Sequence, residues 1–328
     1  MFSPAITLDR RLSVAPMMDH TDRHCRYFLR LISRHVLLYT EMITTDAVIH
    51  GDREQLLAFS QEEHPLALQL GGSDPRELAL SARIAEDMGY DEVNLNVGCP
   101  SDRVQSGQFG ACLMSKPLLV ADCIAEMKKH VSIPVTVKTR TGIDDRDSYA
   151  ELTAFIKHVH NAGCRIFIIH ARKAWLNGLS PKENREVPPL QYDRVYQLKR
   201  DFPDLEIIIN GGFTSLEQIM TQYAHVDGVM IGRAAYHNPY LLSGIDRGIF
   251  CKNHPVPGRH EILEKYAGYV KQNLGRGIRL NQMTRHILGL FQGQAGARAF
   301  RRIISENSHK PGTGIEILQQ AADQISTA

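Results

Sequence analysis

The 328-residue chain is short of the residues that staple small folds. Its six cysteines, Cys25, Cys99, Cys112, Cys123, Cys164 and Cys251, form no CxxC pair and have no clustered histidine partners. Such spacing supplies neither a structural zinc site nor a disulfide framework, so no metal and a reducing, cytoplasmic setting are expected. Tryptophan is scarcer, with Trp175 alone. No stretch approaches the roughly 18–20 apolar residues that cross a bilayer, and residues 1–11 carry no apolar secretion core. A soluble protein with no membrane partner is expected. A dominant charge is also missing: 38 Lys and Arg against 36 Asp and Glu leave a net +2, which excludes a histone-like polycation or an acidic solvating tail. No fixed-period repeat, low-complexity tract or paired Gly-rich dinucleotide turn appears.

With 43% hydrophobic and 23% charged residues, the chain can bury a full core. Its charge is uneven. From Cys251 onward there are 11 Lys or Arg against 5 Asp or Glu, so this end carries +6 and the preceding 250 residues carry −4. A near-neutral body with a basic end follows.

Eight short, β-branched apolar runs recur at 12–17, 36–42, 65–70, 92–97, 133–138, 165–170, 206–210 and 228–232, each followed by a helix-like segment such as 75–88, 117–130 or 149–162. The runs are continuous rather than alternating, as parallel strands buried on both faces require. Eight such units predict an α/β fold, a (β/α)8 TIM barrel, over 1–245, in preference to a doubly wound sheet. After Tyr240 only helical periodicity remains, with Ile262, Tyr266, Tyr269, Val270 and Leu274 on one face. An appended all-helical domain is expected over 255–328.

In such a barrel the chemistry sits at the C-terminal strand ends. Here those ends carry Pro16-Met17-Met18, Glu41, Gln69, Asn96 to Cys99, Lys138 to Arg140, His170 to Arg172, Asn210-Gly211-Gly212 and Gly232-Arg233. The last two loops suit a phosphate, because glycine lets backbone N–H groups approach an anion and Arg233 adds a charged fork. Lys138 ends a buried run and needs an acceptor; a local carboxylate is one answer. The other is a planar, electron-rich heterocycle such as a flavin, for which Gln69, Lys138 and His170 would line the polar edge. Cys99 sits at a strand mouth, whereas Cys112, Cys123 and Cys164 read as inert core residues. A thiol without an activating base keeps its proton near neutral pH and suits a proton donor better than a nucleophile.

These motifs resemble the tRNA-dihydrouridine synthase family. Val93-Asn-Leu-Asn-Val-Gly-Cys-Pro100 with Val104 and Gly110-Ala111 is similar to its signature, and Ala15-Pro-Met17, Gln69-Leu-Gly-Gly72, Lys138-Thr-Arg140, His170-Ala-Arg172, Asn210-Gly-Gly212 and Gly232-Arg233 fall where the family has them. His170-Ala-Arg-Lys-Ala-Trp175, Gly178-Leu-Ser-Pro-Lys-Glu-Asn-Arg185 and Gly296-Ala-Arg-Ala-Phe-Arg-Arg302 resemble its A branch, which acts on uridines 20 and 20a of the tRNA D-loop. One departure is His20, where relatives often have an aromatic residue. The resemblance implies FMN held by Pro16, Met17, Met18, Gln69, Lys138, His170, Asn210, Gly211, Gly212, Gly232 and Arg233. It further implies NADPH as reductant, hydride delivery to C6 of uracil and protonation of C5 by Cys99. A looped, weakly stacked uridine is the cheapest base to extrude into such a site.

Three groups of residues are expected at the RNA. Asn96 either holds the extruded base or satisfies local backbone. Glu183, Arg185 and Glu186, in the loop that begins near Trp175, either touch sugar and base edges or are solvated; Trp175 itself reads as a loop anchor or a stacking platform. Arg298, Arg301 and Arg302, spaced by three and four with Lys310 nearby, place guanidinium groups on one helix face and suit tRNA phosphates, the bland alternative being a solvated face. The expected protein is therefore a monomeric, FMN-dependent and NADPH-oxidising tRNA-modifying enzyme. Its alternatives are a flavin barrel acting on a free pyrimidine, in the manner of a dihydroorotate dehydrogenase, and a noncatalytic RNA-binding protein.

Overall fold

The computed structural model describes residues 8–325. Eight parallel strands close into a barrel in sequence order: β1 (Leu12–Val14), β2 (Leu37–Thr44), β3 (Leu66–Gly71), β4 (Glu92–Val97), β5 (Val135–Arg140), β6 (Ile166–His170), β7 (Glu206–Asn210) and β8 (Gly228–Ile231). The β1–β8 pairing, Leu12 opposite Val229 through Val14 opposite Ile231, completes the ring. β3 and β4 are buried at all six positions, so even the polar Gln69, Glu92, Asn94 and Asn96 are enclosed. β1 is shorter than its run. Ala15 still donates to the Ile231 carbonyl at 2.8 Å, but Pro16 has no N–H to continue the ladder.

The helices between strands begin where the side chains favour it. Asp74 accepts from the amides of Arg76 and Glu77 to start Pro75–Asp87, and Ser148 with Glu151 forms a reciprocal capping box at the head of Tyr149–Asn161. Helix Pro117–His130 opens on proline, whose missing N–H costs nothing in a first turn.

The chain divides into two compact units. The first is the barrel, through Met17 with Leu37–Phe59 and His64–Ile231. A cluster of Ala15, Leu37, Tyr39, Ala67, Ile168, Ile208 and Met230 forms an apolar part of its core. A charged group lies among the strands' N-terminal ends: fully buried Glu92 accepts from Arg10 at 2.7 Å, from the Tyr39 hydroxyl at 2.6 Å and from Thr136 at 2.8 Å. With three donors, the carboxylate is compensated in an apolar setting.

The second unit contains Met18–Val36, Ser60–Glu63 and everything from Gly232 onward. Among its described residues it is all helical, with Arg23–Ile32 packed on Arg259–Leu274 through a Tyr27–Tyr269 stack at 4.0 Å and a Phe28–Tyr266 edge contact at 5.3 Å. Ile262, Tyr266, Tyr269 and Val270 are buried, so the apolar stripe is the packed face. Buried Arg26 pairs with buried Glu63 at 2.7 Å. Asp22 caps Arg23–Ile32 and also pairs with Arg285 at 2.6 Å and His286 at 3.0 Å.

Candidate active site

A line of side-chain hydrogen bonds runs through the barrel from that buried carboxylate to the mouth. Thr136, which donates to Glu92, accepts from Asn94 at 2.8 Å; Asn94 accepts from Gln69 at 2.8 Å; and the Gln69 oxygen accepts from Asn96 at 2.8 Å. The Asn96 oxygen then accepts from the backbone amides of Gly98 and Cys99, both at 3.0 Å. Gln69 and Asn96, two of the expected site residues, are thus joined to each other and to the turn that presents Cys99. Asn96 spends its oxygen on local backbone and keeps one amide hydrogen beyond the bond to Gln69.

Cys99 is half-buried, and its thiol lies 3.6 Å from the Ser101 hydroxyl. Behind it, Gly110 has φ +76, and a Cβ there would lie 2.6 Å from the Cys99 carbonyl oxygen and 2.3 Å from Val104. Only glycine fits that close approach. Cys112, Cys123 and Cys164 have thiols raised by burial, the last two to about 12, as inert thiols do.

Opposite this turn the site is cationic. Lys138 donates to the Asn210 oxygen at 3.2 Å rather than to a carboxylate, and Asn210 is held in turn by its amide to the Met230 carbonyl at 2.7 Å. Burial, with a smaller push from the nearby Arg140 guanidinium, lowers Lys138 to about 7, while the Cys99 sulfur acts in the other direction. Burial also takes His170 well below its usual value, with Arg140, Lys138, Arg172 and Arg185 adding to the effect, so the ring is neutral at pH 7. No carboxylate is among the groups acting on either side chain. Gly211, at φ +122, lies against the His170 ring: a Cβ there would sit 2.8 Å from its Cδ2.

Sequence reasoning passed over two residues that organise this mouth. Arg140, 4% exposed and lowered to about 10 mainly by burial, donates to the carbonyls of Gly98, Lys173 and Asn184 at 2.9, 3.1 and 2.9 Å. It therefore ties the Cys99 turn to the loop after β6. Asn184, fully buried, binds Trp175 through its amide and carbonyl and also donates to Leu179. Glu183, Arg185 and Glu186 around it are exposed, and Glu183 closes its own turn on Ser180. Lys173 lies 4.2 Å over the Trp175 ring, which with the Asn184 bonds fits the anchor reading of that residue.

The remaining expected residues are placed as follows. Pro16 and Met17 leave the end of β1 half-exposed, and Gly212 is exposed beside Gly211. In the second unit, Met18 is exposed, and Gly232 precedes the short helix Arg233–His237, whose first residue is solvent-facing. His20 is held there by the Met18 carbonyl at 2.7 Å and packs edge-on against Tyr236 at 4.2 Å. Arg298 and Arg302 are exposed on helix Ala297–Asn307, whose buried face is Ala297, Phe300 and Ile304; Arg301 is half-buried and reaches Gln292 at 3.4 Å.

The donor set suits FMN. A flavin's pyrimidine edge is an array of acceptors that gains negative charge on reduction. Lys138, partly exposed and with no carboxylate acting on it, beside a neutral His170, meets that need without a competing counter-ion.

Comparisons with known proteins agree. Residues 13–326 match the family described as Dihydrouridine synthase (Dus). The chain is 63% identical over 316 residues to the tRNA-dihydrouridine(20/20a) synthase of Vibrio vulnificus, covering 96% of this chain and 97% of that one. It is 63% identical to the Synechocystis protein of that name, covering 94% and 93%, and 60% identical to the Escherichia coli O6:H1 protein, covering 96% of both. Among solved structures, a 2-naphthoyl-CoA reductase superposes with TM-score 0.56 at 12% identity, covering 73% of this chain and 50% of that one. An old yellow enzyme homologue from Zymomonas mobilis superposes with TM-score 0.54 at 14% identity, covering 78% and 92%. At such identities these two share the fold.

Proposed function

The chain belongs to the dihydrouridine synthase family, and from that premise we propose that it reduces the C5–C6 double bond of uridines 20 and 20a in the D-loop of tRNA, with FMN as cofactor and NADPH as reductant. The observation that carries the reading is the pairing, in one mouth, of a half-buried thiol with Lys138, Arg140 and His170. Likeness at 60–63% identity over nearly the whole length of relatives named for tRNA dihydrouridine synthesis argues against a free-pyrimidine enzyme and against a noncatalytic RNA binder.

FMN would be held by Pro16, Met17, Met18, Gln69, Lys138, His170, Asn210, Gly211, Gly212, Gly232 and Arg233, and when bound it supplies the hydride for C6. Lys138 and neutral His170 donate to its polar edge, with Asn210 aiming the lysine. Cys99 delivers the proton to C5, and the Asn96 oxygen holds its amide so that the thiol points out of the turn. Arg140 braces that turn from behind. Glu183, Arg185 and Glu186 contact the extruded nucleotide's surroundings, and Arg298, Arg301 and Arg302 bind tRNA phosphates, so the basic helical domain grips while the barrel reacts. A monomer working in the cytoplasm, with no step assigned to a metal, fits this scheme; among the described residues no helix is long and apolar enough to cross a membrane.

The test uses purified protein reconstituted with FMN. Cys99→Ala should keep its flavin absorbance and tRNA affinity yet lose at least about 100-fold in uridine reduction. Arg301→Ala with Arg302→Ala should weaken tRNA binding and flatten its salt dependence while NADPH still bleaches the flavin. A chain that takes up no flavin, or full activity without Cys99, would refute the proposal.

A further inference from the structure

Far from the barrel chemistry in sequence, three side chains of the helical unit converge: His35, Asp246 and His254, whose ligand atoms all lie within 4.8 Å of one another. Cysteine and histidine spacing gives no hint of this grouping, because His35 lies 211 residues before Asp246 in the chain. From their arrangement we infer that His35, Asp246 and His254 form a binding site for a borderline divalent cation of the zinc class.

Asp246 is buried, at 2% exposure, and rigidly aimed. The Ser33 hydroxyl and the His35 amide donate to Oδ1, and the Arg34 amide donates to Oδ2 at 2.7 Å. Supporting donors of this kind fix a ligating carboxylate without replacing its metal bond. His254 Nε2 lies 3.0 Å from Oδ2. That nitrogen is buried and makes no hydrogen bond. On the other side of the ring, Nδ1 lies 3.4 Å from the Pro255 carbonyl, which can only accept. Nδ1 faces a group that can only accept and can carry the ring proton, which leaves Nε2 able to ligate. A ring nitrogen and a carboxylate oxygen at that separation hold a proton or a cation between them. Two ligands each about 2.0–2.1 Å from one tetrahedral ion stand about 3.3 Å apart, close to the separation seen here.

His35 supplies the third ligand; its ring lies 5.9 Å from that of His254 and is half-exposed, so water can complete the shell. Two imidazoles and one carboxylate select Zn²⁺, Co²⁺ or Ni²⁺ over Mg²⁺ and Ca²⁺, which take oxygen ligands. The ion would clip the loop after helix Arg23–Ile32 to the segment 246–254 within the helical unit. It plays no part in the uridine chemistry.

The experiment uses untagged, FMN-loaded protein passed over a chelating resin and titrated with Zn²⁺ by calorimetry. The expected result is one Zn²⁺ per wild-type chain. His254→Ala and, independently, His35→Ala should each weaken it at least about tenfold, while far-UV dichroism and uridine reduction in the metal-free state stay as in wild type. Co²⁺ in place of Zn²⁺ should give visible ligand-field bands that both variants lose. Wild type that binds no Zn²⁺, or a His254→Ala protein that binds it equally well, would overturn the inference and leave a histidine–carboxylate pair.

Discussion

Cys99 owes its position to a line of buried polar side chains. Its amide is held by Asn96, Asn96 by Gln69, and the line continues through Asn94 and Thr136 to Glu92. The sequence shows each polar strand-end residue but not which end of each amide is used, so Asn96 can be read there either as a base contact or as a turn brace. Lys138 carries the clearest titration. Burial lowers it from 10.5 to about 7. Between those values the unfolded chain binds a proton that the folded chain does not, so stability rises with pH across that window; the penalty is complete below pH 7 and gone above 10.5. Flavin-free Lys138→Met should therefore melt higher than wild type at pH 7, with the gap closing by pH 10. Parallel melting curves for the two proteins would show that no buried ammonium is present.

At the scale of elements, most of the barrel is legible because buried parallel strands need continuous apolar runs, and helix starts announce themselves through Asp74, Ser148 and Pro117. What the runs cannot show is partnership. Helix Arg23–Ile32 lies between β1 and β2 in the chain, yet its aromatic face packs on Arg259–Leu274. Asn184 is equally silent in sequence, since its role rests on backbone groups of its own loop meeting one buried amide. The head of Arg23–Ile32 is heavily committed: Asp22 caps it and also pairs with Arg285 and buried His286, and its carboxyl lies well below the usual range despite burial, held down first by the His286 hydrogen bond. Asp22→Ala removes a cap and the carboxylate shared by Arg285 and His286, so it should cost about 2 kcal/mol in urea unfolding. Asp22→Asn, which keeps the cap, should cost less.

On the scale of the whole molecule, a net charge of +2 conceals −4 before Cys251 and +6 after it. That division follows the work proposed for the two parts, a barrel that reacts and a basic helical end that grips RNA. It also marks where sequence stops: the family, the strand order and Cys99 can be read from local patterns, while the cationic mouth and the His35, Asp246 and His254 grouping exist only once distant segments meet. The central claim is most directly tested by mapping dihydrouridine in tRNA from cells that lack this gene, then restored with either the wild-type chain or Cys99→Ala. The account predicts that dihydrouridine at positions 20 and 20a disappears and returns only with the wild-type chain. Dihydrouridine persisting at both positions in the absence of the gene would contradict it.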